Sequence, residues 1–383
     1  MKKIWIMLCV ICLIPFTSVK AEELAMNAKS AILIDVKTGE ILFEKNSHEK
    51  IAPASMTKMM SMLVIVEAIE DGVLNWNDTV TVSENASSMG GSQILLETGE
   101  QMKVKDLFKG VAVASGNDAV VALAEATYGT VDEFVKKMNE KALELNLKDT
   151  NFKNPHGLDD ANHYSSAHDM AMIAKELVKH KKVLEFTSIY EDYLRKGTDR
   201  EFWLVNTNKL VRFYNGVDGL KTGYTKEAGY CLTATASKND MRLIAVAMGE
   251  PTSALRNSEI SSMLDYGFAQ YKSTIIINQN KTIKEVNVEK AKTKKVEIIP
   301  VDDVSILTKK TDKIGNITYS VKLDKVVAPI KKGNIVGKLL VKEDGKKIKE
   351  VNLTVKKDIE KANFIELYLR YISDIISGNI SFN

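Results

Sequence analysis

Cysteine is nearly absent from this chain. Of three in 383 residues, Cys9 and Cys12 fall in the opening apolar stretch. That leaves Cys231 alone, which excludes an internal disulfide and obliges the fold to rest on a buried core. Cys231 itself sits in an apolar strand pattern and reads as buried and inert. No Gly-x-Ser-x-Gly stretch occurs, and no histidine has a neighbour that argues for a Ser-His-Asp site. His156, His163 and His168 crowd into residues 150–170. No pair of them has the spacing of one helix face and no third ligand is evident, so the expectation is no metal and no cofactor. The lysine-rich part of the chain lacks interleaved aromatics or a nucleic-acid motif, which argues against a nucleic-acid partner.

What is present begins with Lys2-Lys3, an almost wholly apolar run from Ile4 to Phe16, and small residues around Val19-Lys20-Ala21. This is the layout of a secretory leader, 1–21, cut after Ala21; the run is short for a bilayer span. The protein is therefore expected to be exported. The length suggests two domains. Residues 272–357 carry 21 lysines against ten carboxylates, while the part before them is net acidic, and such a split fits two units with different surroundings. Solvated strand faces account for the lysines, with attraction to anionic wall polymers or lipid headgroups as the sharper reading.

Along the chain, Ala31–Ile34 and Ile41–Phe43 read as a hairpin turning through Lys37-Thr38-Gly39. Ser55-Met56-Thr57-Lys58 then opens an apolar helix expected to be central and buried. A hydroxyl and an amine three residues apart share one side of its first turn. There the helix field favours an oxyanion beside Ser55 and disfavours the ammonium form of Lys58. Taken alone, the same residues read as a Ser N-cap with a solvated lysine. From Lys103 to Glu125 the helical pattern breaks at Ala114–Asp118, so Ser115 and Asn117 can point into one cavity from a turn; an ordinary turn capping the next helix is the plainer reading. Ser166–Asp169 looks like a capping box for a helix Met170–Lys179. Gly219–Tyr224, Tyr230–Ala236 and Arg242–Met248 read as an antiparallel meander. Its first strand carries Lys221-Thr222-Gly223-Tyr224, suited to an edge to which a peptide adds by backbone hydrogen bonds, its carboxylate meeting Lys221. Lys281–Lys356 reads as a small all-β domain. The last helix sets Phe364, Ile365, Tyr368, Ile372, Ile375 and Ile376 on one face, suited to a membrane surface, a protein partner or its own domain.

Ser55-x-x-Lys58, Ser115-x-Asn117 and Lys221-Thr222-Gly223, separated by about sixty and about a hundred residues, are far more specific together than apart. Here the sequence resembles the penicillin-recognising serine acyl-transferases, and among them the low-molecular-mass penicillin-binding proteins that are D-alanyl-D-alanine carboxypeptidases. Asn206–Leu210 and Gly216–Leu220 share the likeness. The resemblance implies an α/β (α+β) fold: an antiparallel sheet flanked by helices with a helical lobe, a small all-β C-terminal domain and an amphipathic tail. The implied division is 22–272, 278–357 and 358–383. It implies Ser55 as nucleophile, Lys58 as base, and Ser115 as proton carrier to the departing D-alanine. Asn117 would hold the peptide, Lys221 and Thr222 would bind its carboxylate with help from Arg256, and the backbone N–H groups of Ser55 and Tyr224 would form the oxyanion hole. Gly223 completes the motif, and Tyr224 stands where some members have histidine. Implied partners are peptidoglycan stem peptides ending in D-Ala-D-Ala, β-lactams as covalent inhibitors, and a membrane surface; the implied place is the outer face of the bacterial cell membrane or the wall.

A serine β-lactamase shares the three motifs but needs a carboxylate for deacylation, and Glu144-Leu145-Asn146 has the wrong spacing for it. A third reading is a module that binds peptide or penicillin without turnover.

Overall fold

Five strands drawn from residues 30–250 form one sheet: β1 (Ser30–Asp35), β2 (Ile41–Lys45), β3 (Val217–Thr225), β4 (Gly229–Lys238) and β5 (Met241–Glu250), in the order β2-β1-β5-β4-β3. The structure, a computed structural model, describes residues 24–377 except 294 and 325. The leader read from the sequence lies outside the described residues. β5 is buried along almost its whole length, which is why its sequence runs apolar instead of alternating, and β4 is buried from Cys231 through Ala236, Thr233 and Thr235 included. They meet at Asn239-Asp240, both in the left-handed region at φ 50° and 61°, the conformation of a two-residue hairpin turn that follows the strand twist. β3 pairs antiparallel with β4, Lys221 opposite Thr233 and Gly223 opposite Cys231. β3 is thus the edge of the sheet, as the meander pattern suggests.

Helix α1 (Lys58–Glu70) is buried from Lys58 through Val66, so its sequence is apolar on nearly every side. It packs against α2 (Val104–Ala114), α3 (Asn117–Tyr128), α4 (Val131–Glu144) and α5 (Ala167–Leu177). The break expected after Ala114 is real: Ser115 turns left-handed at φ 65° and ends α2, and α3 starts at Asn117. At α5 half of the expected capping box forms, with Ser166 Oγ accepting from Asp169 N at 3.1 Å. The Asp169 carboxylate turns instead to Asp149 N and the Thr150 hydroxyl, each at 2.8 Å.

By backbone contacts the chain falls into two units. Among the described residues the first takes in 24–33, Leu42–Ala236 and Ile244–Tyr266; the second takes in Ile34–Ile41, Ser237–Leu243 and 267–377. In the second, Tyr271–Ile277 pairs with Val304–Lys309. A five-stranded sheet follows in the spatial order Lys284–Asn287, Lys295–Pro300, Lys346–Val355, Gly337–Glu343, Ile317–Leu323. Ile298, Val304, Leu339, Val341, Leu353 and Val355 form its core. Its surface lysines are partly paired: Lys338 and Lys347 both reach Glu350 at 2.6 Å. The last helix, Phe364–Ile376, opens on a reciprocal capping box between Asn363 and Glu366, and Phe364, Ile365, Tyr368, Ile375 and Ile376 are exposed. Among the described residues no helix is long and apolar enough to cross a membrane.

Candidate active site

Ser55 lies on a 3₁₀ turn, Ala54–Thr57, that leads directly into α1 at Lys58. Residues three apart eclipse in a 3₁₀ turn, and the Lys58 Nζ stands 3.0 Å from Ser55 Oγ. It also donates to Asn117 Oδ1 at 2.6 Å and to the His156 carbonyl at 2.7 Å. An ammonium fills all three contacts as donor; a neutral amine keeps the two donations and turns its lone pair to the serine hydroxyl. Lys58 is wholly buried, and its pKa falls well below the usual lysine value, first through burial and then through the Lys221 charge, against the opposing pull of Asp118. The sequence pointed to the helix field; in the fold, burial heads the causes.

Asn117 is fixed from its other end, Nδ2 donating to the Gly90 carbonyl at 2.7 Å, which aims Oδ1 at the lysine. Beside it, the Asp118 carboxylate accepts from the backbone N–H groups of Ile94 and Leu96 at 3.0 and 3.1 Å. Segment 90–96 is thereby tied to the start of α3. Ser115 lines the same cleft as Ser55 and its Oγ is buried without a hydrogen-bond partner.

The opposite wall is β3. Thr222 Oγ1 donates to Thr207 Oγ1 at 2.8 Å. A Cβ on Gly223 would lie 2.7 Å from the Pro53 carbonyl, so only glycine lets the strand approach the Ser55 turn this closely. Tyr224 is exposed and its ring lies 4.3 Å from that of Tyr230. These residues line a cleft of about 480 Å³ together with Asn206, Lys209 and Arg256. Lys221 is not among its lining residues: it is 1% exposed, its Nζ donates to the Thr222 carbonyl at 3.1 Å, and burial with the Arg256 charge lowers its pKa to about 7. Of the three residues expected to meet the carboxylate, Thr222 and Arg256 line the cleft and Lys221 lies buried behind it. Arg256 follows β5, on the helix Ser253–Gln270.

The clustered histidines have structural partners. His163 Nδ1 accepts from Lys153 N at 3.0 Å, which leaves Nε2 to carry the proton in its 2.8 Å contact with Thr57 Oγ1; burial lowers its pKa to about 4. His168 Nδ1 contacts Asp169 at 3.0 Å. Cys231 is fully buried, with its thiol pushed up to about 11, as its strand pattern suggested. Glu144 pairs with Lys141 at 2.7 Å and does not line the cleft. Sequence reasoning read Asn154–Gly157 only as a turn, yet the turn supplies the His156 carbonyl to Lys58. Gly157 also packs where a Cβ would fall 1.9 Å from the Ala54 carbonyl.

An amine able to take the proton of a neighbouring serine, beside a strand edge open to a peptide, is the equipment of a serine hydrolase that works through an acyl-enzyme. Residues 17–252 match the family described as D-alanyl-D-alanine carboxypeptidase, and residues 271–361 match the C-terminal domain of penicillin-binding protein 5. The chain is 52% identical over 356 residues to D-alanyl-D-alanine carboxypeptidase DacF of Bacillus subtilis, covering 93% of this chain and 92% of that one. The crystal structure of penicillin binding protein 5 from Haemophilus influenzae aligns with a TM-score of 0.71 at 36% identity, over 88% of this chain and 98% of that one. Penicillin-binding protein D2 from Listeria monocytogenes in its ampicillin-bound form aligns at 0.57 and 30%, over 63% of this chain and 98% of that one. The chain belongs to the D-alanyl-D-alanine carboxypeptidase family. It is a serine-type hydrolase that removes the terminal D-alanine from peptidoglycan peptides, and its work lies outside the cytoplasm.

Proposed function

We propose that Ser55 is the acylated nucleophile and Lys58 its base. Ser55 Oγ adds to the carbonyl of the penultimate D-alanine as its proton passes to Lys58 Nζ; the C–N bond then breaks, and the leaving D-alanine takes a proton through Ser115. Water, deprotonated by the same amine, releases the acyl group and restores the hydroxyl. Asn117 holds the peptide from one side. Thr222 and Arg256 take the terminal carboxylate, with the buried Lys221 adding positive charge from beneath. Backbone N–H groups of Ser55 and Tyr224 receive the oxyanion. Strained β-lactams follow the same first step and stay on Ser55. Residues 22–272 carry this chemistry, 278–357 form a separate β domain, and the tail from 358 rests its apolar face on the membrane surface after export. The observation that carries the reading is the 3.0 Å approach of the buried Lys58 amine to Ser55 Oγ.

D-Alanine release from diacetyl-L-Lys-D-Ala-D-Ala tests it. The expected result is turnover by the wild type and loss in Ser55→Ala, with a fluorescent penicillin labelling the first protein and not the second. Turnover or labelling that persists in Ser55→Ala rejects it.

A further inference from the structure

A β-ribbon, Glu191–Leu194 paired with Phe202–Val205, stands at the rim of the cleft. One face is core: Leu194 and Leu204 are buried. Glu191, Tyr193, Trp203 and Val205 share the other face by strand alternation. Val205 lines the cleft. Two positions along the same strand Trp203 is 57% exposed, and Tyr193, directly opposite it in register, is 40% exposed. The tryptophan and its cross-strand tyrosine therefore present two neighbouring aromatic faces to solvent at the rim of the cleft. The surface is continuous with the cleft.

We propose that the Tyr193–Trp203 pair is a saccharide platform that holds an amino-sugar ring of the glycan strand bearing the stem peptide. This rests on the reading of the substrate as a peptidoglycan stem. Flat aromatic faces fit the C–H faces of a pyranose ring, and Glu191, on the same face of the ribbon, offers acceptors to hydroxyl and amide groups, chemistry that an aliphatic protein-binding patch lacks. The reach is right. Four residues separate the sugar from the scissile bond of a pentapeptide, at most about 14 Å of extended chain. Trp203 lies two strand residues, about 7 Å, beyond the cleft-lining Val205.

The test compares diacetyl-L-Lys-D-Ala-D-Ala with un-cross-linked glycan strands carrying pentapeptide, using the full chain and the variants Trp203→Leu and Trp203→Phe. The leucine keeps apolar area but loses the flat face; the phenylalanine keeps the face. The expected result is a KM about tenfold higher on the glycan-linked substrate in Trp203→Leu, the scale of one lost aromatic contact. Trp203→Phe should recover most of it, and the tripeptide kinetics should be unchanged in both. An unchanged KM on the glycan substrate, or an equal loss on both substrates, overturns the platform. Failure of the wild type to release D-alanine from the tripeptide instead counts against the catalytic reading. Binding of peptide-free glycan oligomers, followed by tryptophan fluorescence, then judges the platform alone: quenching lost in Trp203→Leu supports it, and no quenching in the wild type overturns it.

Discussion

The Nζ of Lys58 and the Oδ1 of Asn117 stand 2.6 Å apart, and the amide is locked in that orientation by its donation to the Gly90 carbonyl. Buried behind the cleft wall, Asn117 takes one hydrogen of the lysine, the His156 carbonyl takes another, and the remaining position faces Ser55. The amide also presents a neutral acceptor, which leaves the depressed pKa of the amine intact.

Asn117→Asp replaces that neutral acceptor with an anion. The charged form of Lys58 is then favoured, its pKa rises, and the free base becomes scarcer at neutral pH. The acid limb of kcat/KM for penicillin acylation should move to higher pH, with activity at pH 7 down at least tenfold and partly recovered on raising the pH. A limb that stays in place would show that Lys58 does not titrate in this step.

Lys221 has a folded-state pKa of about 7 against an ordinary value of 10.5. Between these two values the unfolded chain holds a proton that the folded chain lacks, so this group makes stability rise as pH increases through the window and fall as pH drops toward 7. Lys58, depressed in the same direction, adds to the slope. In Lys221→Met the rise of Tm from pH 7 to pH 10 should be smaller than in the wild type. Activity should fall as well, because a positive charge next to the site is gone. An undiminished slope would mean that Lys221 is not held near neutrality by the fold.

Gly157 combines two demands. Its φ is +86°, and a Cβ there would lie 1.9 Å from the carbonyl of Ala54, the residue before the serine. The obstructing atom is backbone, so little can yield. Gly157→Ala should cost more than about 3 kcal/mol and slow acylation of the remaining folded protein, read by chemical denaturation and by penicillin labelling. A variant with wild-type stability would contradict the packing of this turn on the Ser55 segment.

Much of this site was legible because its three motifs are local. Ser55 and Lys58 sit within one turn, Ser115 and Asn117 flank one break between helices, and Thr222 and Gly223 lie on a strand whose edge position follows from the meander pattern. The central burial of α1 was equally readable from its uninterrupted apolar run. What the sequence hid has a common cause. The acceptors that orient Lys58 include a backbone carbonyl from His156, and Asn117 is fixed by another from Gly90; carbonyls carry no residue signature. Burial as the chief depressor of the Lys58 pKa, and the placement of Lys221 beneath the cleft instead of on its surface, depend on packing among segments more than a hundred residues apart. The histidines lack ligand spacing in the sequence, but their actual partners were hidden there: His163 is held by Lys153 and Thr57, one backbone and one side-chain contact that only the fold brings together.

The central claim is that one hydroxyl, assisted by one buried amine, becomes covalently acylated. Peptide mapping by mass spectrometry after exposure to a β-lactam tests it most directly. The expected result is a single adduct on the peptide containing Ser55, abolished in Ser55→Ala, and formed in Lys58→Met on the order of 10²- to 10⁴-fold more slowly. An adduct on any other residue, or acylation of Ser55 at an unchanged rate without the lysine, would contradict it.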